Sequence, residues 1–304
     1  MRGSNSYAVG IVHYKDPASV RSLITAISSW SLPPTAIFVA DNSGDRELDA
    51  LLGDSLSTGT QLLVMNGNVG YGPAANALLH ACGEADIPYL LLLTQDALLD
   101  ADAAEHLVKH MSDETTCAVA GPVLTYVSKP EVVFSSGGVI TAFGRTLHPT
   151  QGRLLAELSA SCSPYSVDWI DGACTLLRVS DCLKVGAFDD AYFLYVEEVD
   201  LQWRLRSSGK EVMVVPCARA SQEPGNYTLY YKYRNLTYFT RKNRSALRPW
   251  PWLIALPKDS YRRLTERRPD EIIWALRGLL DSWRGEMGQR PEKITSRRTK
   301  RTYT

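Results

Sequence analysis

Four short apolar segments in the first third of the chain alternate with segments of helical spacing, and this alternation constrains the fold more than any other feature. The apolar segments are residues 7–12, 37–40, 62–64 and 89–93. Helical spacing of apolar residues follows the first segment over residues 17–31 and the third over residues 73–85. Strands that alternate with helices predict an α/β fold with a mainly parallel sheet and helices on both faces.

Polar clusters stand directly after three of the predicted strands. Residues 41–43 (Asp-Asn-Ser) follow the second strand, the Asn- and Gly-rich residues 66–72 follow the third, and residues 94–96 (Thr-Gln-Asp) follow the fourth. Ligands of such sheets bind beyond the carboxyl ends of the strands. The three clusters therefore predict a single ligand site at one edge of the sheet.

The composition narrows the class of protein. The 304 residues are 45% hydrophobic and 22% charged, as in ordinary globular proteins. No apolar run approaches the roughly 20 residues of a membrane span, and the N-terminal residues lack the apolar core of a secretion signal. The six cysteines are scattered without a C-x-x-C pair, so we expect reduced, mostly buried thiols in a cytoplasmic protein, not a zinc site or a disulfide framework.

Charge divides the chain near residue 230. Residues 1–229 hold 14 Lys+Arg and 26 Asp+Glu, whereas residues 230–304 hold 19 and 7. We expect residues 1–226 to form the α/β domain, with irregular loops or short strands over 128–168. Residues 227–304 are expected to form a helical, basic region with a disordered tail. Helical patterns cover residues 227–244, 258–268 and 270–286, with Pro249 and Pro251 separating the first two.

The basic C-terminal region predicts an anionic partner. That partner could be a lipid surface, a phosphate-bearing acceptor or the acidic body itself. Peripheral contact with the inner face of the membrane is one reading, and a solvated tail is the other. No nucleic-acid partner is expected, and a homo-oligomer stays open.

Residues 193–206 place three carboxylates in four positions, Glu197, Glu198 and Asp200. Carboxylates this close repel one another, so a metal, arginines or solvent must stabilise them. Such a cluster can supply a general base. It is equally compatible with an acidic helix start, because acidic side chains favour the positive end of a helix.

Five segments occur in an order and spacing typical of one family. They are residues 11–14 with 41–43, residues 68–72 with Asn76, residues 92–96, residues 171–173 and residues 193–206; a weaker sixth comprises residues 233–235, 241–242, 276–281 and Gly285. Together they resemble the inverting family 2 glycosyltransferases of the GT-A fold, most closely rhamnosyltransferase-like members. The resemblance implies a Rossmann-like GT-A domain that moves a sugar from a UDP- or dTDP-linked donor to an acceptor hydroxyl. A lipid-linked or phosphate-bearing acceptor is one of the acceptors left open.

The resemblance also implies a donor site and a metal site. The implied donor-binding residues are His13, Asp41, Asn68, Gly70, Asn76 and Gln95. Asp41 would accept a hydrogen bond from the base, or it caps a turn. Asp96 would bind Mg²⁺ or Mn²⁺ with the diphosphate, or it caps a strand. Two departures weaken the metal prediction, because Thr94 replaces the first Asp of a D-x-D motif and Gln222 stands where relatives often carry His.

The general base is implied to be Glu198, with Glu197 as the alternative. Residues implied to bind the acceptor or the sugar are Asp171, Trp169, Tyr195, Asp200 and Arg204. Trp169 and Tyr195 could stack on sugar rings or belong to the core. Asp200 could instead orient its loop or pair with Arg204 or Arg206.

Two other functions compete with transfer. The altered metal site suggests the first alternative, a catalytically impaired protein that binds a nucleotide sugar or a glycan. A nicotinamide-dependent oxidoreductase is disfavoured because the G-x-G-x-x-G fingerprint is absent.

Overall fold

The computed structural model describes residues 5–45, 47–52, 59–158, 162–223, 225, 228–248 and 252–289. The strands are β1 (Tyr7–His13), β2 (Ala36–Asp41), β3 (Thr60–Val64), β4 (Tyr89–Thr94), β5 (Leu98–Leu99), β6 (Cys117–Tyr126), β7 (Lys129–Ser135), β8 (Val139–Ile140), β9 (Thr146–Leu147), β10 (Tyr165–Ser166), β11 (Cys174–Arg178) and β12 (Glu211–Ser221). The helices are α1 (Pro17–Ile27), α2 (Glu47–Leu52), α3 (Tyr71–Glu84), α4 (Ala103–Asp113), α5 (Leu155–Leu158), α6 (Val179–Lys184), α7 (Glu197–Ser207), α8 (Leu229–Lys242), α9 (Trp252–Thr265) and α10 (Asp270–Arg284).

The central sheet is mixed and mostly parallel, as expected. Its order is β10-β12-β6-β11-β4-β1-β2-β3, with β5 and β7 pairing to β12 and β6. The half formed by β4, β1, β2 and β3 is wholly parallel, and β11 runs antiparallel between β4 and β6. All seven residues of β1 are buried, because helices cover both faces of the sheet.

Each face of the sheet carries its own hydrophobic cluster. One cluster joins α1 and α4 to the sheet through side chains such as Val20 and Leu107. The other joins α3 and α7 to the opposite face through Leu78 and Leu201. The two clusters fix the sheet between two helical layers, which leaves its carboxyl edge open for a site.

The four predicted strands are confirmed as β1 to β4, each longer by one or two residues. The helix predicted over 17–31 ends earlier, at Ile27, because the hydroxyls of Ser28 and Ser29 bond back to the carbonyls of Thr25 and Ala26. The helix predicted over 258–268 begins earlier, at Trp252, and includes Pro257. The predicted separators Pro249 and Pro251, and the predicted tail, lie outside the described residues.

Strand register brings the predicted polar clusters to one edge. His13 pairs with Asp41, Asp41 with Val64, and Val12 with Thr94. β11 begins at this same edge, since Cys174 pairs with Leu93. The turn before β11 therefore joins the strand-end clusters.

The expectation of uniformly reduced cysteines is wrong. Cys162 and Cys217 form a disulfide across 55 residues of sequence. Cys82, Cys117, Cys174 and Cys182 are free and buried, and burial raises their pKa values. The two cysteines become neighbours only in the folded chain, and their spacing in the sequence does not indicate that they pair. Among the described residues, no helix combines the length and apolarity needed to cross a bilayer.

We expect Gly278→Ala to destabilise the packing of α10 on α8. A Cβ at Gly278 would overlap the carbonyl oxygen of Tyr230 and lie 3.2 Å from the backbone nitrogen of Arg234. Overpacking of this kind costs about 1–3 kcal/mol in the free energy of unfolding, measurable by urea denaturation. Gly83→Ala on α3 is the control, because its Cβ would meet only the end of the Leu183 side chain at 3.3 Å. Equal unfolding midpoints for the two variants would contradict the prediction.

Candidate functional site

The ends of β1 and β2 carry a buried histidine and aspartate. His13 Nδ1 lies 2.9 Å from Asp41 Oδ1, and His13 Nε2 accepts a hydrogen bond from the Asp16 backbone N–H at 3.1 Å. A neutral imidazole that accepts at Nε2 carries its proton on Nδ1, so His13 donates to Asp41. Both ring nitrogens are used within the protein, which makes His13 a support for Asp41. Asp41 Oδ2 is buried without a partner.

The loop after β3 is fixed by two asparagines. Asn42 accepts from the Val69 N–H at 2.8 Å and donates to Asn68 Oδ1 at 3.1 Å. Gly70 has φ +100°, and a Cβ there would lie 2.7 Å from the Phe193 carbonyl oxygen. The backbone of Gly70 therefore lies close to Phe193, in the segment that precedes Glu197 and Glu198. Asn42 was in the predicted motif, but no role was predicted for it.

The predicted metal position lies at the end of β4. Gln222 Nε2 donates to Asp96 Oδ1 and to Thr94 Oγ1, both at 3.2 Å. The Asp96 side chain is exposed. Gln95 instead forms two hydrogen bonds with the backbone of Tyr14, at 2.8 and 3.1 Å, and so joins the ends of β4 and β1. The two departures from the family pattern, Thr94 and Gln222, thus meet beside Asp96.

A strained turn precedes α7. Tyr195 and Val196 have φ of +72° and +76°, a left-handed conformation that is costly for residues other than glycine. Asn235 on α8 donates from Nδ2 to the carbonyl oxygens of Leu194 and Tyr195, at 2.8 and 2.7 Å. Arg234 in turn donates from Nε to Asn235 Oδ1 at 2.9 Å. Helix α8 therefore holds the turn that carries the predicted base.

A central cavity of about 570 Å³ opens beside this turn. Its lining includes Thr94, Asp171, Glu197, Glu198, Gln222 and Arg262. The predicted Trp169 and Tyr195 line it as well. The structure thus brings the candidate base and most of the predicted sugar-binding residues to one space, and Thr94 and Gln222, which neighbour Asp96, line it too.

Four carboxylates line the cavity: Glu197, Glu198, Asp171 and Asp259, the last of which pairs with Lys232 at 2.7 Å. Burial raises the pKa of Glu197 to about 7, although the N–H groups of Tyr195 and Glu197 and the charge of Arg234 act in the opposite direction. Burial, then the charge of Glu197 and further that of Asp171, raises the pKa of Glu198 well above its usual range. Glu197 Oε2 and Asp171 Oδ2 are buried without partners.

His148 contributes to the cavity and was not predicted. Its Nδ1 lies 3.0 Å from Ser135 Oγ and its Nε2 lies 3.7 Å from Asp171 Oδ1. Burial raises the pKa of Asp171, and His148 and Ser135 oppose that shift. The His148 ring meets the Trp169 ring edge-on at 4.7 Å. His148 lies in the Gly- and Ser-rich stretch that predicted only loops, and a lone histidine there carries no signal in the sequence.

Asp200 and Arg204 do not line the cavity. Asp200 is fully buried and binds Arg204 Nε at 2.8 Å and Lys242 Nζ at 2.9 Å. Arg204 also donates to the carbonyl oxygens of Val185 and Ala187. The predicted sugar contact is therefore corrected: the two side chains are an interior ion pair that anchors α7, the alternative that the sequence left open.

Asn76 is likewise turned away from the donor side. Its amide bonds to the Phe188 backbone N–H and carbonyl, both at 2.9 Å, and to Asp190 Oδ1 at 2.9 Å. The side chain fixes residues 188–190 against α3. In this geometry the Asn76 side chain is not positioned to contact a nucleotide-sugar donor directly.

Comparison with known proteins agrees with the sheet edge and the cavity. Residues 8–172 match Glycosyl transferase family 2, a little over half of the chain. The chain belongs to glycosyl transferase family 2. It is therefore a glycosyltransferase enzyme, and its rhamnosyltransferase-like character also appears among its relatives.

One relative covers nearly the whole chain. It is the N-acetylglucosaminyl-diphospho-decaprenol L-rhamnosyltransferase of Mycobacterium tuberculosis, 25% identical over 309 residues, which are 95% of this chain and 94% of the relative. Among solved structures, GalNAc-T7 with UDP, GalNAc and Mn²⁺ is similar at TM-score 0.62 and 13% identity. The match covers 84% of this chain but 57% of GalNAc-T7. Staphylococcus aureus TarS is similar at TM-score 0.58 and 12% identity, over 91% of this chain and 80% of TarS. These structures confirm the GT-A fold.

We expect the activity of the enzyme to rise with pH as the cavity carboxylates lose protons. Because the charge of Glu197 helps to raise the pKa of Glu198, Glu197→Gln should move the rising limb of kcat/KM to lower pH. Glu131→Gln, on the exposed part of β7, is the control and should leave the limb in place. A limb that stays fixed or moves to higher pH in Glu197→Gln would contradict the assignment.

Proposed function

We propose that this enzyme transfers a sugar, with inversion, from a UDP- or dTDP-linked donor to a hydroxyl of a lipid-linked acceptor. The observation that carries the proposal is the pair of half-buried and buried glutamates, Glu198 and Glu197, on the wall of a cavity that also reaches Thr94 and Gln222. A base and a diphosphate site in one cavity are what a single displacement at an anomeric carbon requires.

The donor would bind along the carboxyl edge of β1, β2 and β4. Asp41 Oδ2, buried and without a partner, is an acceptor for the imide N–H of uracil or thymine. His13 and the residues 41–43 and 68–70 hold that carboxylate and its loop in place.

The residues beside the proposed donor site would supply only a few of the ligands of a divalent cation. Within the described residues, no group of three or more His, Cys, Asp or Glu side chains could hold a metal ion. Mg²⁺ and Mn²⁺ need only one or two carboxylates when diphosphate oxygens complete their ligand set. Asp96 would supply that carboxylate, with Thr94 and Gln222 as neutral neighbours, and the cation would offset the negative charge of the leaving diphosphate.

Glu198 would act as the general base. The acceptor oxygen attacks the anomeric carbon, its proton passes to the Glu198 carboxylate, and the bond from that carbon to the diphosphate oxygen breaks. A single displacement inverts the anomeric centre. Asp171, whose Oδ1 lies 3.7 Å from His148 Nε2, would bind hydroxyl groups of the acceptor sugar.

The relative's name supports the choice of sugar and acceptor. An L-rhamnosyl donor and an N-acetylglucosaminyl-diphospho-lipid acceptor are the first substrates to test. The basic residues Lys232, Arg262 and Arg263 line the cavity, and an acceptor diphosphate would lie beside them.

We expect Glu198→Gln to lower kcat by about 10²–10⁴-fold while donor binding is retained. The amide keeps the size of the side chain and cannot take the proton. Transfer would be assayed with UDP- and dTDP-rhamnose on the lipid-linked acceptor, with Glu131→Gln as the control. Normal turnover in Glu198→Gln, with turnover lost in Glu197→Gln, would move the base to Glu197.

We expect Mn²⁺ to tighten the binding of UDP or dTDP by a factor of about 5–150, the usual range of coupling between two ligands. Calorimetry with and without Mn²⁺ measures this factor. Asp96→Asn should abolish it, and Asp100→Asn, an exposed neighbour, should preserve it. A nucleotide that binds equally well with and without Mn²⁺ in the wild type would exclude the cation site at Asp96. Tight binding with no transfer to any acceptor would favour the binding-protein alternative.

A further inference from the structure

Helix α10 exposes a stripe of large apolar side chains. Ile273, Leu276, Leu280 and Trp283 are 68%, 51%, 47% and 48% exposed. Their spacing of three or four residues places them along one side of the helix. The buried residues of α10, which include Ala275 and Leu279, face α8 instead.

Helix α9, which packs beside α10, also exposes large apolar side chains. Tyr261 and Leu264 are 73% and 58% exposed, whereas Ala255 packs with Ala275 in the cluster that joins both helices to α8. Among the described residues, six of the thirteen exposed large hydrophobic side chains lie on α9 and α10. Such a concentration marks an interaction surface, since singly scattered ones would need no explanation. We call the six side chains on α9 and α10 the docking face.

Cations border the docking face. Lys258, Arg277 and Arg284 are exposed on the same helices. Within the described part of the chain, no carboxylate forms an ion pair with any of the three. Two acids of α9 are paired with other cations, Asp259 with Lys232 and Glu266 with Arg262. Apolar side chains bordered by unpaired cations are complementary to an anionic lipid surface.

The charge distribution favours a bilayer over a second copy of the chain. A two-fold contact through the docking face would bring Arg277 and Arg284 towards their own copies. Against an anionic bilayer, residues 230–304, with 19 Lys+Arg and 7 Asp+Glu, are attracted. Residues 1–229, with 14 and 26, are repelled. The two halves therefore orient the molecule with α9 and α10 towards the lipid.

We propose that the docking face of α9 and α10 binds the surface of an anionic phospholipid bilayer. Arg262 and Arg263 on α9 line the cavity, and Tyr261 and Leu264 of the docking face are their neighbours on the helix. Docking through α9 would therefore bring this wall of the cavity close to the headgroup region. The presentation of a lipid-linked acceptor to Glu198 there rests on the proposed function, whereas bilayer binding itself does not.

The test is sedimentation of the full chain with vesicles. Vesicles of phosphatidylcholine with about one-third phosphatidylglycerol should bind the protein, and pure phosphatidylcholine should bind it far less. Leu276→Ser with Leu280→Ser should weaken this binding about tenfold or more, because the apolar contact with the acyl chains is lost. Leu98→Ser with Leu154→Ser, at side chains that are 53% and 50% exposed elsewhere, is the matched control and should bind as the wild type does.

A charge reversal tests the electrostatic part separately. Arg277→Glu with Arg284→Glu should abolish the preference for phosphatidylglycerol, and Arg21→Glu with Lys129→Glu, on the body, should not. Equal binding to both kinds of vesicle, or no binding, would overturn the proposal. So would light scattering that shows a dimer in the wild type and a monomer in the Leu276 and Leu280 variant without vesicles.

Failure of the two proposals can be told apart. Vesicle binding is measured without donor or acceptor, so an intact docking face with no transfer would count against the proposed function alone. Transfer to a water-soluble acceptor without vesicle binding would count against the docking face alone.

Discussion

Two hydrogen bonds from Asn235 to the carbonyl oxygens of Leu194 and Tyr195 hold the turn on which the site depends. Left-handed backbone at Tyr195 and Val196 costs of order 1–3 kcal/mol per residue, and it persists only where the surroundings over-determine it. Asn235 thus donates hydrogen bonds to two carbonyl oxygens of this turn. Helix α8 also contributes Leu229 and Lys232 to the wall of the cavity, so the charge boundary near residue 230 does not separate the candidate site from the C-terminal helices.

The orientation of α7 explains why three neighbouring carboxylates behave so differently. Successive helical residues point about 100° apart, which sets Glu198 and Asp200 on opposite sides of the helix. Asp200 lies in the interior between Arg204 and Lys242, whereas Glu198 faces the cavity with Asp171. Asp200 is paired with two cations. Burial raises the pKa values of Glu197 and Glu198, and the charge of Glu197 adds to the shift at Glu198. The same short segment thus supplies an anchor and the proposed base.

Much of the fold and part of the site follow from local sequence, and the rest depends on distant contacts. The strands β1 to β4 and the position of Asp41 and Asp96 at one edge of the sheet follow from apolar runs and from the rule that parallel strands end at one edge. The position of Asp171 beside Glu198 could not be predicted in that way, because it depends on how the turn before β11 packs against α7. His148 and the Cys162–Cys217 pair were missed for the same reason, since each is defined by residues far away in the chain.

The two ends of the site differ in how completely their polar atoms are satisfied. At the nucleotide end the supporting side chains bond within the protein, and Asp41 Oδ2 is the buried atom left over. In the cavity, Trp169 Nε1, Asp171 Oδ2 and Glu197 Oε2 are all buried without partners. Each such atom costs about 1–3 kcal/mol, and a hydroxyl-rich ligand recovers that cost by supplying donors and acceptors. An analogue lacking the matching hydroxyl would recover none of it, so discrimination between sugars should arise in the cavity and not at the nucleotide end.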